Sequence, residues 1–243
     1  MVEAIAQTSI KYYRGSKHVR QQMREWQDLE NQWYGSLETT HPFFQVYGAK
    51  FYIADLWACW VVYSRKYLQA LCNTRAENGK TIAELLQMVE SIVDLGCGIG
   101  ITTAAMTQIF PNAKNIYGTN LLQTQQANFC AKISQAYNFT VIGDVREING
   151  KCDLVFASEY FEHFQQPVQH LDDIIQQLAP QYLLIANSFG AKSIGHFNQY
   201  SVNGQLVNAR MASKQFNLHL RKAGFMKIKT RLWNNRPALW QKQ

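Results

Sequence analysis

Prolines, cysteines and long apolar runs are all scarce in this sequence. Its 243 residues include five prolines, of which no two are adjacent and none precedes a cysteine. The five cysteines form no Cys-x-x-Cys pair, which argues against a zinc site, and their odd number argues against a disulfide framework. We therefore expect reduced thiols, most of them buried.

No stretch of the sequence is apolar for long enough to cross a bilayer. The longest apolar block, Leu56 to Tyr63, is far shorter than the ~20 residues of a membrane span. Met1 to Arg14 contains no apolar stretch of signal-peptide length. With 47% hydrophobic residues, the chain can nevertheless bury a full core. These features predict a globular, cytoplasmic protein without a membrane partner; they do not indicate its oligomeric state.

Acidic residues are missing from the C-terminal part of the chain. No Asp or Glu follows Asp173, whereas ten of the 24 Lys and Arg residues do. A basic surface of this kind can face the phosphates of a nucleic acid. The alternative is the solvent face of an edge strand, since Lys227, Lys229 and Arg231 alternate with apolar residues. The lack of a long basic run or an aromatic-rich RNA-binding pattern favours the edge strand.

From Thr81 onward, strand patterns alternate with helix patterns. Apolar strands are predicted at 92–95, 116–119, 139–142, 153–157 and 182–186, and helices fill the intervals. After a polar stretch at 188–205, interpreted as a loop, a helix is predicted at 212–222 and two further strands at 225–233 and 238–242. This order is typical of an α/β fold, doubly wound around a parallel sheet with helices on both faces.

The most informative segment is the one from Ser91 to Gly100. An apolar strand containing Asp94 runs into three glycines at alternate positions, and a helix pattern begins directly after them. Glycines at such a turn allow positive φ and close approach of a ligand to unpaired backbone N–H groups. The spacing differs from that of dinucleotide-binding turns, and the acid inside the motif suits a positively charged ligand. A tight turn that binds nothing is the alternative.

Asp94, Gly96, Gly98 and Gly100 together resemble motif I of the class I S-adenosylmethionine-dependent methyltransferases, Asp/Glu-x-Gly-x-Gly-x-Gly. The resemblance covers about residues 81–243. It implies a Rossmann-like methyltransferase fold with a mostly parallel seven-stranded sheet, S-adenosylmethionine as cofactor, and transfer of its methyl group. Residues 1–80 lie outside the resemblance and are interpreted as a helical N-terminal extension that caps the substrate.

The resemblance also implies further cofactor contacts. Asn120 matches the position of the ribose-binding acid at the end of the second strand, and Asp144 matches the residue that takes the adenine amino group. Ser158, at the end of the fourth strand, is assigned to the cofactor as well. An amide at position 120 should hold the ribose less strongly than a carboxylate does, because it offers one acceptor instead of two. Ordinary turn chemistry remains the alternative for Asn120 and Asp144.

The residues after the fourth strand indicate the kind of acceptor. The chain lacks the Pro-Pro and Pro-Cys pairs of DNA base methylases, so base methylation by those routes is not expected. Glu159, Glu162 and His163 instead form a Glu-x-x-Glu-His pattern similar to that of two metal-assisted O-methyltransferase groups, the ubiquinone-pathway enzymes and the small-RNA 3′-terminal 2′-O-methyltransferases. In both groups a second histidine completes the ligand set, and His196 stands in the corresponding loop. The resemblance thus implies a site for Mg²⁺, Mn²⁺ or Zn²⁺.

Two other interpretations of the Glu-x-x-Glu-His pattern stay open. In one, His163 acts as a metal-free general base with Glu162 beside it as the second catalytic residue. In the other, the acid caps a helix and the histidine only packs. The leading functional hypothesis is O-methylation of a hydroxyl on a small molecule. Methylation of an RNA ribose and a non-catalytic, cofactor-binding accessory protein are the alternatives, the latter because of Asn120.

The first 80 residues carry two helix patterns. One has an apolar stripe formed by large side chains, namely Val19, Met23, Trp26, Leu29 and Trp33. The other, Phe51 to Leu71, is apolar nearly all round and is predicted to be buried. We expect both helices to pack over the ligand edge of the sheet. Four aromatic residues could stack on a planar acceptor, although core packing is the more common use of such residues: Tyr52, Trp57, Trp60 and Tyr63.

Overall fold

The computed structural model describes residues 16–39, 42–49, 68–230 and 237–243. Several predictions fall wholly or partly elsewhere. The helix predicted from Phe51 is described only from residue 68, and the end of the strand predicted at 225–233 lies outside the described residues. So do the aromatic residues that were candidates for stacking on an acceptor, namely Tyr52, Trp57, Trp60 and Tyr63.

A seven-stranded sheet forms the centre of the molecule, with the strand order β3-β2-β1-β4-β5-β9-β8. Its strands are β1 (Ser91–Leu95), β2 (Asn115–Thr119), β3 (Thr140–Ile142), β4 (Leu154–Ser158), β5 (Tyr182–Ala186), β8 (Phe225–Ile228) and β9 (Ala238–Lys242). The strands β1 to β5 pair in parallel, and β9 is antiparallel to both β5 and β8. The predicted doubly wound, mostly parallel sheet is therefore confirmed.

Two helices, α1 (Ser16–Ser36) and α2 (Ile82–Leu85), precede β1, and a helical turn lies between them at 68–72. Helices connect β1 to β2, β2 to β3 and β4 to β5, namely α3 (Ile101–Ile109), α4 (Gln125–Tyr137) and α5 (Pro167–Leu178), and α6 (Ala209–Lys222) precedes β8. Short 3₁₀ helices lie at Phe44–Gly48, Val145–Glu147 and Phe161–His163. The start of α2 is fixed by a reciprocal capping box, in which the Thr81 hydroxyl accepts from the Glu84 N–H while the Glu84 carboxylate accepts from the Thr81 N–H.

One prediction in the second half of the chain was wrong. The polar stretch 188–205 is not loop throughout, because a hairpin of β6 (Gln199–Val202) and β7 (Gln205–Asn208) begins within it. Asn203 and Gly204 both have positive φ, 51° and 76°, as a type I′ turn requires. Tyr200 and Val202 are buried, which ties the hairpin to the core. The helix predicted from 212 also starts earlier, at Ala209, where Asn208 caps it.

The sheet is buried on both faces. Along β4, Leu154 and Phe156 belong to one buried cluster, whereas Val155 and Ala157 belong to the other. This alternation is expected because successive side chains of a strand point to opposite faces. The N-terminal residues contribute to both clusters, Trp33 and Val46 to one and Leu68 and Leu71 to the other. The predicted division at residue 81 stays a prediction.

The ends of β1 and β4 form the edge of the sheet where ligands bind in folds of this kind. Leu95 pairs with Ala157, and Ser158 pairs with Ala186 of β5, so these strands end side by side. The described cysteines, at positions 72, 97, 130 and 152, are buried and free, as expected. Among the described helices, none has the length and apolar character needed to span a membrane.

Candidate active site

The turn after β1 depends on its glycines. Gly96, Gly98 and Gly100 have φ of 65°, 60° and 83°, a region that other residues rarely adopt. A Cβ on Gly96 would lie 2.6 Å from the Tyr160 ring, and one on Gly100 would lie 2.8 Å from the Cys130 sulfur. All three positions therefore favour glycine through their backbone conformation, and Gly96 and Gly100 also lack room for a side chain.

Asp94 is buried directly before this turn, with only 3% of its surface exposed. Its Oδ2 accepts a hydrogen bond of 2.6 Å from the Thr103 hydroxyl of α3. Burial raises the pKa of Asp94 to about 7, and the Thr103 hydrogen bond offsets this only in part. Because the carboxylate lines a cavity, a positively charged ligand there would be attracted by it.

Asn120 follows β2, and its side chain forms a hydrogen bond with the glycine turn. Its Nδ2 donates to the carbonyl of Gly98 at 2.5 Å, and its Oδ1 accepts from the N–H of Leu121 at 2.9 Å. These are bonds of the kind that a turn residue makes. The side chain also borders a cavity, so its contact with a ribose stays a prediction.

Asp144 follows β3 and caps the 3₁₀ helix Val145–Glu147. The Arg146 guanidinium donates to both of its carboxylate oxygens, at 2.8 and 2.7 Å, and the Arg146 N–H donates as well. These hydrogen bonds lower the pKa of Asp144 to about 2, so the group is ionised at neutral pH. It borders the same cavity as Asn120, and its contact with adenine stays a prediction.

Two adjoining cavities of about 440 and 570 Å³ lie over this edge of the sheet. Both are bordered by Gly96, Gln126, Glu159 and His163, so they meet at the glycine turn. The smaller cavity is also bordered by predicted site residues, namely Asp94, Gly98, Ser158 and His196. The larger cavity is bordered by Asn120 and Asp144. Of the predicted site residues, Gly100 and Glu162 border neither cavity.

Three of the predicted metal ligands converge beside the smaller cavity. Glu159, Glu162 and His196 can each offer one ligand atom such that all three atoms lie within 4.8 Å of one another. Glu162 is fully buried, and its Oε1 accepts from the Ser188 N–H at 2.5 Å. Its Oε2 is buried and has no hydrogen-bond partner among the described residues. Burial and the neighbouring Glu159 raise the pKa of Glu162 to about 8.

The ring of His196 is held in one orientation. Its Nδ1 lies 2.8 Å from the carbonyl oxygen of Ala191, which can only accept, so Nδ1 carries the proton of the neutral ring. Burial lowers the pKa of His196 and favours this neutral form. Nε2 therefore keeps its lone pair. Backbone carbonyls often orient metal-binding histidines in this way.

His163 lies beside the three-residue cluster but is not one of its members. Its ring meets the His196 ring edge-on, with the centroids 4.8 Å apart, and its Nδ1 lies 3.0 Å from the Tyr47 hydroxyl. Burial, followed by the repulsion that His196 would exert if both rings were protonated, lowers the pKa of His163 to about 3. The ring is thus neutral at physiological pH and takes up a proton only with difficulty.

The N-terminal residues reach the same site. Trp26 of α1 borders the smaller cavity, and the indole N–H of Trp33 donates to the carbonyl of His196 at 2.7 Å. The Tyr34 hydroxyl donates to the Ser193 carbonyl at 3.1 Å. Sequence reasoning missed Tyr34 and Tyr47, because neither belongs to the apolar stripe and their partners lie more than 100 residues away in the chain.

Several basic side chains of the C-terminal part make contacts within the chain. The ammonium groups of Lys227 and Lys242 lie over the rings of Trp240 and Phe225, at 5.7 and 4.9 Å from their centroids. Lys229 pairs with Glu77 at 3.4 Å. Lys227 lies on β8, an edge strand of the sheet, as the alternative favoured by the sequence expects, whereas Lys229 follows this strand and Arg231 lies outside the described residues.

The chain matches a family model described as a methyltransferase domain over residues 63–230. Solved structures with the same fold include an O-methyltransferase family protein from Burkholderia thailandensis, which is 15% identical with a TM-score of 0.55 over 92% of this chain and 70% of that one. Human N-acetylserotonin methyltransferase in complex with S-adenosylmethionine is 15% identical, with a TM-score of 0.54 over 97% of this chain and 70% of that one.

The mitomycin 7-O-methyltransferase is also similar. It is 13% identical, with a TM-score of 0.54 over 95% of this chain and 68% of that one. At these identities the likeness concerns the fold. No curated protein sequence matches the chain significantly.

Proposed function

The chain belongs to the methyltransferase domain family, and we propose that it methylates a hydroxyl oxygen of a small molecule. It is an S-adenosylmethionine-dependent enzyme of class I, as the glycine turn predicted. The observation that carries the proposal is the convergence of Glu159, Glu162, His163 and His196 beside the turn at Gly96. Groups that bind or accept protons are what a hydroxyl acceptor needs in order to attack a methyl group.

The cofactor residues divide between the two cavities. In the smaller one, Asp94 faces the positive charge of the cofactor, and Gly96, Gly98 and Ser158 form the wall beside it. In the larger one, Asn120 and Asp144 face the nucleoside. In the reaction the acceptor oxygen attacks the methyl carbon in line with its bond to sulfur, that bond breaks toward sulfur, and the hydroxyl proton passes to a base. Residues 1–80 are proposed as a cap on the acceptor side, and 81–243 as the catalytic domain.

A divalent cation fits the cluster of Glu159, Glu162 and His196. The fit is supported by the orphaned Oε2 of Glu162, by the lone pair on Nε2 of His196 and by the carboxylate-rich donor set. Such an ion, when bound, lowers the pKa of an acceptor hydroxyl. The low pKa of His163 makes it a weak base by itself, which favours cation assistance over the metal-free alternative.

A small acceptor is favoured over RNA by the surroundings of the site. The two cavities are of the size that takes a cofactor and a compact acceptor. Lys227, Lys229 and Lys242, which could face a phosphate backbone, contact groups of the chain itself. The O-methyltransferases among the structural neighbours are consistent with this preference but do not identify the acceptor.

The proposal is tested by cation binding and methyl transfer in matched variants. We expect wild-type protein to bind about one Mn²⁺ per chain in calorimetry, and Glu162→Gln to lose this binding because one carboxylate is gone. Glu90→Gln is the matched control, since Glu90 is exposed and pairs with Lys114. Methyl transfer from labelled cofactor to a panel of phenols, catechols and ribosides should fall at least ~100-fold in Glu162→Gln.

Two outcomes would count against these assignments. If Mn²⁺, Mg²⁺ and Zn²⁺ all fail to bind while His163→Ala abolishes transfer, the metal-free base is the correct mechanism. If Glu162→Ala and His163→Ala both leave turnover intact, the catalytic site lies elsewhere.

A further inference from the structure

The hydrogen bond between Tyr47 and His163 joins two distant parts of the chain. Tyr47 lies in the 3₁₀ helix Phe44–Gly48, outside the residues that match the family model. Its hydroxyl reaches Nδ1 of His163 at 3.0 Å, and the two rings meet edge-on with centroids 5.7 Å apart. A residue from the N-terminal segment therefore occupies one of the two nitrogens of a proposed catalytic histidine.

The surroundings hold the Tyr47 ring in this position. Tyr47 stacks on Phe44 with an interplanar angle of 19° and lies 6.3 Å from the Trp33 ring. Trp33 in turn donates its indole N–H to the carbonyl of His196. The same group of aromatic residues therefore contacts the segments that carry both site histidines.

The backbone of Gly195 lies next to this hydrogen bond between Tyr47 and His163. Its φ is +85°, and a Cβ added to it would collide with both the Tyr47 hydroxyl oxygen and Nδ1 of His163. The backbone at Gly195 therefore lies directly against the Tyr47 hydroxyl and the His163 ring, and only glycine at this position leaves room for their hydrogen bond.

The neutral ring of His163 carries one proton, and its position decides what the ring can do. With the proton on Nδ1, Nε2 has a lone pair that can accept a proton or bind a cation. With the proton on Nε2, the ring can only donate at that atom. Only the first form lets His163 take the proton of the acceptor hydroxyl, which is the part left for it when Glu159, Glu162 and His196 hold a cation.

We propose that Tyr47 is a positioning residue, whose hydroxyl oxygen accepts a hydrogen bond from Nδ1–H of His163 and so holds Nε2 unprotonated in the site. This inference rests on the proposed function of His163. It assigns to the N-terminal segment a part in the chemistry in addition to its part in covering the acceptor. Tyr47 acts on the acceptor only through the histidine.

The test compares Tyr47→Phe with Tyr34→Phe. Both variants remove one phenol hydroxyl from the N-terminal segment, but the Tyr34 hydroxyl bonds to Ser193 and not to His163. Nitrogen-15 NMR of labelled histidine, assigned with His163→Gln, reports which ring nitrogen carries the proton. We expect Nδ1–H in the wild type and in Tyr34→Phe, and a shift toward Nε2–H or a mixture in Tyr47→Phe.

Kinetics supply the second measurement. In Tyr47→Phe we expect kcat to fall ~10-fold or more with KM and cofactor affinity nearly unchanged, as for other residues that orient a catalytic histidine. An Nε2–H form in the wild type, or a Tyr47→Phe variant with unchanged tautomer and kcat, would overturn the inference. In either case a large loss in His163→Ala would leave the proposed function standing, so the two failures are distinguishable.

Discussion

Buried carboxyl groups are the chemically unusual residues of this protein. Asp94 and Glu162 are both buried, and burial raises the pKa of each, to about 7 and about 8. An ionised carboxylate in such a place is costly unless a positive charge compensates it. A cation would therefore gain binding energy at each of them, the cationic cofactor proposed at Asp94 and the metal ion proposed at Glu162.

Cofactor affinity should depend on pH through Asp94. The ionised fraction of this carboxyl rises as pH increases through its pKa of about 7. A sulfonium ligand prefers the ionised form, so we expect affinity for S-adenosylmethionine to improve about tenfold from pH 6 to pH 8. Calorimetry across this range checks the expectation.

Asp94→Asn serves as the control for the pH dependence, because the amide keeps the shape and the Thr103 contact but cannot ionise. The Asp94→Asn variant should bind S-adenosylmethionine more weakly, and position 94 should then contribute little to the change of affinity with pH. An identical pH profile in the two proteins would show that Asp94 does not titrate on binding.

Some site residues could be predicted from the sequence and others could not. Asp94 and the glycines follow from a local pattern, because a strand that turns into a helix places its ligand groups within ten residues. His196 was found only through the family resemblance. Tyr47 has no local pattern at all, since its role arises from contact with His163, 116 residues further along the chain.

At the scale of elements, the turn between β1 and α3 should be intolerant of any side chain at Gly100. Gly100→Ala and Gly150→Ala both place alanine at positive φ, 83° and 96°, so both pay the conformational cost. Only at Gly100 does the new Cβ meet other atoms, at 2.8 Å from Cys130 Sγ and 2.9 Å from Phe139 Cζ. Around Gly150 there is nothing within 4 Å.

We therefore expect Gly100→Ala to lower the free energy of unfolding by about 1–3 kcal/mol more than Gly150→Ala does. Urea denaturation measures the difference. Only Gly100→Ala should also weaken cofactor binding, because relief of the contacts with Cys130 and Phe139 displaces the glycine turn itself. Equal losses of stability in the two variants would mean that the neighbours of Gly100 move aside without cost.

The predicted elements show where local patterns suffice. The strands β1, β2, β4 and β5 were predicted to within one residue because short apolar runs between polar turns are typical of buried parallel strands. The hairpin of β6 and β7 was missed although Asn203-Gly204 is a strong turn signal. Only one face of β6 is buried, and β7 is largely exposed, so the apolar pattern there is weak. The hairpin matters for the site, because the Tyr200 hydroxyl donates to the Glu162 carbonyl.

For the whole molecule, the formal net charge of +7 could be mistaken for a sign of specific RNA binding. Because lysines of the C-terminal strands contact rings and an acid of the same chain, we expect only non-specific binding to single-stranded RNA, with Kd weaker than ~10⁻⁵ M near 0.15 M salt. Fluorescence anisotropy at several salt concentrations gives the affinity and its salt dependence.

The double variant Arg210→Glu and Lys214→Glu, on the exposed side of α6, provides a comparison for this experiment. It should weaken the residual binding slightly and leave methyl transfer to a small acceptor unchanged. Tight binding with a steep dependence on salt would instead favour RNA as the acceptor.

The order of strands has a consequence for how the protein is made. β9, the last of the described strands in chain order, lies between β5 and β8. While the chain is still emerging from the ribosome, β5 thus presents an open edge, and β8 has no neighbour to pair with. Open edges of this kind invite pairing with other nascent chains. Translation must therefore reach residue 242 before this edge of the sheet is closed, and messages truncated shortly before it should yield aggregates instead of partly active enzyme.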